Sequence, residues 1–317
     1  MKGFLYTALG FTVFGLLIFV VAMFSVGWDF SKLSTSKYET NTHTPEGEFE
    51  SIAVNTDTAD IEVLISEDGV TRVECYEESS ARHSVFIDGG TLNINIVNEK
   101  KWYQYISIGF SSPKITVYLA PKVYASLGVE ASTADVELKD GFEFGSLDIS
   151  VSTGDVYVLS TTVSGDVKIK TSTGKITLDN TKTGSLSLTA STGDIEANRL
   201  VARDVSISVS TGDIELTDTT AKSLTTKSST GNLTLTRVTL EEKFSAKTTT
   251  GSVKFEASDA KEIHIETDTG DVRGSLLSEK IFITKTSTGN VEVPKSTSGG
   301  ICEITTSTGN IRINFEE

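Results

Sequence analysis

The sequence predicts an all-β chain: a parallel β-solenoid with an irregular N-terminal β cap, preceded by one transmembrane helix. Three observations predict it. Residues 4–28 carry no charge. A Ser-Thr-Gly, Thr-Thr-Gly or Asp-Thr-Gly triplet ends at Gly154, Gly174, Gly193, Gly212, Gly231, Gly251, Gly270, Gly289 and Gly309, so successive copies lie 19 or 20 residues apart. Apolar and polar residues alternate on both sides of every triplet, which is the period of a half-buried strand.

The N-terminal run comes first. "FLYTALGFTVFGLLIFVVAMFSVGW" (4–28) is long enough to cross a bilayer, which takes about 20 apolar residues, and longer than the roughly 7–15 of a signal-peptide core. Residues 1–28 are therefore expected to be a membrane anchor, with Trp28 at the interface. Ser25-Val26-Gly27 also has the form of a small-residue cleavage site, so removal stays open as an alternative. The Ser/Thr-rich repeat beyond it is typical of surface proteins and favours a single-pass chain with its bulk outside the membrane.

Residues 29–48, "DFSKLSTSKYETNTHTPEGE", are expected to form a polar tether. Residues 49–125 are expected to form the cap. Within them "FESIAVNTDTADIEV" already matches one rung, with Ile52 and Val54 before its corner and Ile61 and Val63 after it. "EDG" at 67–69 and "DGG" at 88–90 are hairpin signals.

Residues 126–317 are the repeat. Counting from each glycine, positions −7, −5 and −3 are apolar or Thr, as in Val205, Ile207 and Val209 before Gly212. Positions +2 and +4 are apolar as well, as in Ile214 and Leu216, and Val291 and Val293 continue that series. A strand, a corner, a second strand and a second corner every 19 to 20 residues describe one solenoid rung. Rungs then pair in parallel about 4.8 Å apart. "STAD" at 132–135 is a degenerate copy, which makes about ten rungs.

The stretches "GWDFSKLSTSKYETN", "SPKITVYLA" and "GSLLSEKIFITKTSTGN", together with the STG[DN] corners, resemble the bacterial putative-adhesin family of β-strand-repeat envelope proteins, a domain of unknown function. The resemblance covers nearly the whole chain, anchor included. It implies a surface location, an adhesive role and, in some relatives, a link to envelope stress responses. It carries no catalytic residues to transfer.

Composition narrows the function. With 28 basic and 43 acidic side chains the chain has a formal charge of −15, the wrong sign for nucleic acid or anionic lipid. Its two cysteines, Cys75 and Cys302, do not make a disulfide framework or a cysteine zinc site, and no disulfide between them is expected. Three histidines leave little acid–base chemistry, and His264 is expected to face outward alone. No catalytic residue and no cofactor is predicted.

The position after each glycine forms a row along the rod. Its aspartates Asp135, Asp155, Asp194 and Asp213 are candidate calcium ligands, but Asp and Asn suit this turn without a metal, and Lys175 interrupts the row. Trp102, Tyr103 and Tyr105 form an aromatic patch suited to capping the first rung or to binding a partner. Positions +1 and +3 of ten rungs hold nine acids and four bases, whereas −4 and −6 hold five bases and four acids. The second face carries Ser187, Thr189, Ser206, Ser208 and Thr225, with Lys168, Lys170, Lys227 and Lys247 at its margins. It is the candidate binding face for a cell-wall or glycan polymer, or for another envelope protein. The predicted function is a non-catalytic surface-binding protein; the alternative is a structural or regulatory envelope protein acting through a membrane partner.

Overall fold

The computed structural model describes residues 2–25, 27–28, 37–98, 112–139 and 141–316. Helix Lys2–Ser25 comes first, apolar around its circumference; by length and composition its segment Tyr6–Ser25 is sufficient to cross a membrane. Everything else described is β-structure joined by turns.

The body is a parallel solenoid. Val136, Val156, Ile176, Ile195 and Ile214 are partners in consecutive coils, and so are Leu127, Leu147, Val167, Leu186, Val205 and Leu224 on the longer strands. Each of these side chains is at most 2% exposed, so the core is a set of columns in which each apolar group packs on its equivalent one coil away. At most coils the Thr at position −3 fits this interior because it has a local acceptor, Thr248 being buried without one. Thr171, Thr267 and Thr306 donate to the carbonyls of Gly154, Gly251 and Gly270 in the adjacent coil, at 3.2–3.3 Å.

Glycine at the repeated corner is obligatory. All nine have φ between +136° and +157°, a region other residues rarely enter. A Cβ at Gly212 would sit 2.2 Å from the carbonyl oxygen of Gly193, stacked directly beside it. The opposite corner has no such signature. Ser160, Asn180, Arg199, Asp218, Arg237 and Ala257 all take the left-handed conformation there, with φ of 45–53°. The next residue in each case is buried, namely Thr161, Thr181, Leu200, Thr219, Val238 and Ser258. Where that residue is Thr or Ser, its hydroxyl donates to the carbonyl two residues back, as from Thr161 to Leu159 at 2.9 Å and from Ser258 to Glu256 at 2.8 Å.

Both ends depart from sequential stacking. At the N-terminal end, strand Ser51–Thr56 lies between Thr91–Asn98 and Val123–Thr133, and Asp60–Ile65 lies between Lys114–Leu119 and Val136–Leu138. The rung at 49–63 is therefore interior, and the outermost parallel coil is built from later residues. Antiparallel strands cover it: Arg72–Glu78 pairs with Lys114–Leu119, and Ala81–Asp88 pairs with Thr91–Asn98. The "DGG" hairpin forms as predicted. The "EDG" turn does not close a hairpin, because 72–78 pairs with 114–119 rather than with 60–65. Part of the expected tether is also structured, since Tyr38–His43 adds to Arg72–Glu78 as a further antiparallel strand.

At the C-terminal end the chain runs from Val253–Thr269 to Lys280–Thr288 at the far edge. It then returns, inserting Gly300–Thr308 between them. The expected inward series holds through Ile311 and Ile313, at 0% and 3% exposed, but Val291 is 44% exposed. It faces inward from a coil that has a neighbour on one side only.

The register gives a direct test. Ile207→Asp buries an unpaired charge between stacked coils and should destabilise by several kcal/mol, whereas Ser208→Asp, on the exposed side of the same strand, should be nearly neutral. Thermal melts of the two variants check this, and equal shifts would refute the register.

Candidate functional site

Positions −6 and −4 of the long strands project outward as two parallel columns. In the first, Gly128, Asp148, Lys168, Ser187, Ser206, Thr225, Ser245, His264 and Glu303 are successive partners. In the second, Glu130, Ser150, Lys170, Thr189, Ser208, Lys227, Lys247 and Glu266 are paired in the same way. The structure thus brings all nine predicted face residues into one continuous strip, with the hydroxyls at its centre and the lysines flanking them.

The four lysines are not equivalent. Lys168 Nζ lies 3.4 Å from Asp148, and Lys247 Nζ lies 2.8 Å from Glu266, whose carboxylate raises the Lys247 pKa. Among the described residues no acid lies within ion-pairing distance of Lys170 or Lys227, so both ammonium groups are left to solvent or a ligand.

At its N-terminal end the strip opens into a groove of about 510 Å³, lined by Asn55, Asn95, Gly128, Ser150, Lys168 and Lys170 among others. The cause is local. Gly128 and its partner Ala53 occupy the −6 column with almost no side chain, between the longer Asn93 and Asp148. Asn55 and Asn95 could not be placed from sequence because their coils are laid down out of order. The alternation in "NINI" at 93–96 was the available signal.

A wider groove of about 720 Å³ lies near Arg72, Tyr118 and Lys139. Its basic groups are engaged by acids. Arg72 pairs with Asp68 at 3.0 Å and lies 4.2 Å over the Tyr118 ring, while Glu62 binds both Lys114, at 2.6 Å, and Lys139. Those two lysines hold the Glu62 carboxyl below its usual value.

The corner row has a structural role that turn chemistry alone did not reveal. Asp135 Oδ1 accepts the backbone N–H of Asp155 at 2.8 Å, and Asp155 Oδ1 accepts that of Lys175 at 2.7 Å. Asp194 accepts Asp213 N–H at 2.8 Å, Asp213 accepts Asn232 at 2.7 Å, and Asn232 accepts Ser252 at 3.0 Å. Each side chain satisfies a corner N–H of the next coil, and an amide oxygen serves as well as a carboxylate. Lys175 cannot accept; it instead reaches Glu196 at 2.7 Å.

In the cap, Cys75, Glu77 and His83 bring three potential metal-ligating atoms within 4.8 Å of one another, all buried. Sequence reasoning missed this group because its members come together only when Ala81–Asp88 folds back over the coil. The polar atoms of Glu77 and His83 are already partnered. Glu77 accepts from His83 Nδ1 at 2.8 Å, from the His83 backbone N–H at 2.6 Å and from Asn41 at 2.7 Å, and His83 Nε2 meets Thr56 Oγ1 at 2.9 Å. Burial, reinforced by the charge of Glu77, pushes the Cys75 thiol up to about 12. A metal would have to break a satisfied network and ionise that thiol, so the arrangement suits a structural polar core.

Cys302 lies in the solenoid interior at the other end, free like Cys75, and its thiol is also raised by burial to about 12. His264 does face outward but is not alone: its Nδ1 is 3.1 Å from Glu303. The out-of-order insertion of 300–308 supplies that partner. Trp102, Tyr103 and Tyr105 lie outside the described residues.

The family model described as Toastrack DUF4097 matches residues 49–223 and 202–317. The chain belongs to this Toastrack family. The match spans both the cap and the solenoid and agrees with the resemblance to β-strand-repeat envelope proteins. A putative adhesin from Parabacteroides distasonis ATCC 8503 shares the Toastrack chain's fold at TM-score 0.53 and 13% identity, over 88% of this chain and 98% of its own. A putative lipid binding protein from the same strain does so at TM-score 0.51 and 17% identity, over 90% and 98%. No curated protein sequence matches the chain.

This Toastrack geometry makes two outcomes testable. Asp194→Asn keeps an oxygen for the Asp213 N–H and should leave stability within about 0.5 kcal/mol of wild type, whereas Asp194→Ala loses a hydrogen bond and should cost about 1 kcal/mol, both read from thermal melts. Calcium should raise the melting temperature no more than magnesium does. The second outcome concerns acid. The folded-state pKa of Glu62 is depressed, so its contribution is fully present above its ordinary value near 4.5 and is lost as pH falls through the lowered one. Melting temperature should therefore fall below about pH 4.5, and Glu62→Gln should show a shallower fall over that range.

Proposed function

We propose that this protein is a membrane-anchored, extracytoplasmic binding rod: helix 2–25 holds it in the membrane, and the Toastrack solenoid recognises an extended neutral or anionic envelope polymer. It works by binding and not by catalysis. The observation that carries the reading is the continuous two-column strip from the Asn55–Lys170 groove through the hydroxyls to Lys227.

Such a strip suits a polymer for three reasons. Its hydroxyls recur at the coil spacing of about 4.8 Å, so an extended chain can share hydrogen bonds with many of them. Lys170 and Lys227 offer charge-assisted contacts to sugar acids or phosphates. The opposite face is acidic and repels an anionic ligand, which selects one side of the rod for such a polymer. Single contacts are weak here, and affinity comes from their repetition along one ligand. The adhesin name carried by one structural neighbour is in keeping with this reading.

Intact cells displaying the full chain provide the test, because binding of an added polymer requires both the outward orientation and the face. A variant with Lys168, Lys170, Lys227 and Lys247 changed to Glu should lose fluorescent wall polymer by roughly tenfold or more. One with Asp155, Asp194, Asp213 and Asp271 changed to Asn keeps its corner acceptors and should bind at least as well as wild type. External protease should abolish binding. Undiminished binding by the lysine variant would refute the face, and protease-resistant binding would refute the orientation.

A further inference from the structure

The two ends of the rod are finished differently. At the N-terminal end, antiparallel strands 72–78 and 81–88 cover the last parallel coil. At the C-terminal end, strand Lys280–Thr288 pairs only with Gly300–Thr308, and Val291–Glu292 only with Ile311–Phe315. Among the described residues, the nine of strand Lys280–Thr288 thus present a backbone edge with no pairing strand on their outer side. Natural sheets usually shield such an edge, because it templates the addition of another strand.

Several exposed side chains at this end are apolar. Leu277 is 52% exposed, Ile281 41%, Ile283 53%, Val291 44% and Ile301 48%. Outside the N-terminal helix and Trp28, only five other large apolar residues are equally exposed among the described residues (Val70, Phe86, Val97, Val123 and Val201), and they are spread from 70 to 201. Charge changes here too. Residues 277–301 hold Lys280, Lys285 and Lys295 against Glu279 and Glu292, but Lys280 is buried and paired with Asp259 at 2.6 Å, so the segment's remaining charges balance in a chain of −15.

We propose that this end is a homotypic contact, in which strand 280–288 pairs antiparallel with the same strand of a second copy about a two-fold axis at Ile283. Three features select a second copy. Pairing about Ile283 sets Ile283 against its own equivalent and Ile281 against Lys285 of the second copy. It keeps the two Lys285 ammonium groups roughly 13 Å apart along the ladder. That register sets no two like charges directly opposite each other. Contact between the acidic faces of two rods is opposed by charge, whereas this near-neutral end carries no such penalty. Finally, the tether enters the fold at strand 38–43 in the cap, at the other end of the solenoid. The open end is therefore the one away from the membrane attachment, where it can meet a copy from an opposing membrane. The isologous pairing closes after two copies and does not propagate into a filament.

The test uses the full chain reconstituted in lipid vesicles with the rods outward. Wild-type vesicles should cluster, read as turbidity. Ile283→Lys should abolish clustering without lowering the melting temperature, because Ile283 is solvent-facing and over half exposed. Val201→Lys, an equally exposed apolar residue on the middle of the rod, should cluster like wild type. Ile283→Cys should give a covalent dimer under mild oxidation, while wild type, whose two cysteines are buried, should not. Dispersed wild-type vesicles, or Ile283→Lys vesicles that cluster as wild type does, would overturn the proposal. So would cross-linking of Ile283→Cys in cells to a different protein only. Polymer binding through the lysine–hydroxyl face is read separately and is unaffected by either outcome.

Discussion

Parallel, in-register stacking of one coil on the next is the constraint on which the rest of the structure depends. Ordering a coil of about 19 residues costs more conformational entropy than its few buried aliphatics return, so a coil is stable only between neighbours. Stacking at strand spacing then dictates residue identity at fixed positions. It leaves no room for a Cβ at Gly212, because the carbonyl of Gly193 fills that space. It sets Asp194 beside the backbone N–H of Asp213, so the corner row becomes a ladder of acceptors. The same spacing places Thr267 within reach of the Gly251 carbonyl, which lets a hydroxyl enter the interior.

Much of this was legible because a repeat reports each constraint many times over. The glycine corner, the inward columns and the outward strip could all be read from residue type and offset alone. The opposite corner could not. Ser160, Asn180, Arg199, Asp218, Arg237 and Ala257 share a conformation but no chemistry, because the strain of a left-handed residue is offset there by the buried neighbour one position later in the chain. Nor could the order of coils at either end, since alternation marks a strand without saying which strand it joins. That limit explains the remaining differences. Glu303 reaches His264, Asn95 joins the groove, and His83 meets Cys75 and Glu77 only after the chain has doubled back.

A repeat that fixes its interior leaves its exterior free to vary in composition while fixing it in space. Ser187, Ser206 and Thr225 need not be hydroxylic for the core to stack, since their side chains leave the coil. Their column is nonetheless as regular as the core column beside it. A surface of this kind provides periodic, shallow chemistry along one axis. It fits a ligand that is itself extended and periodic better than one that requires an enclosing pocket. The grooves are in keeping with this, as both lie where side chains are short or the coil changes, and neither is closed.

The out-of-order ends answer a problem that every solenoid has. A chain that simply stopped after its last coil would leave its final strand both unpaired on one side and free to fray. Here strands 300–308 and 311–315 lie between two neighbours, and Ile311 and Ile313 are buried. The outermost coil at 280–292 is an internal segment, held by chain on both sides. The exposed edge is thus tied to chain on both sides, and it can stay open without a covering strand. The cap achieves the same result at the other end by a different route, with antiparallel strands and a buried Glu77–His83–Asn41 network. One end is closed by its own chain, while the other is anchored firmly enough to remain available.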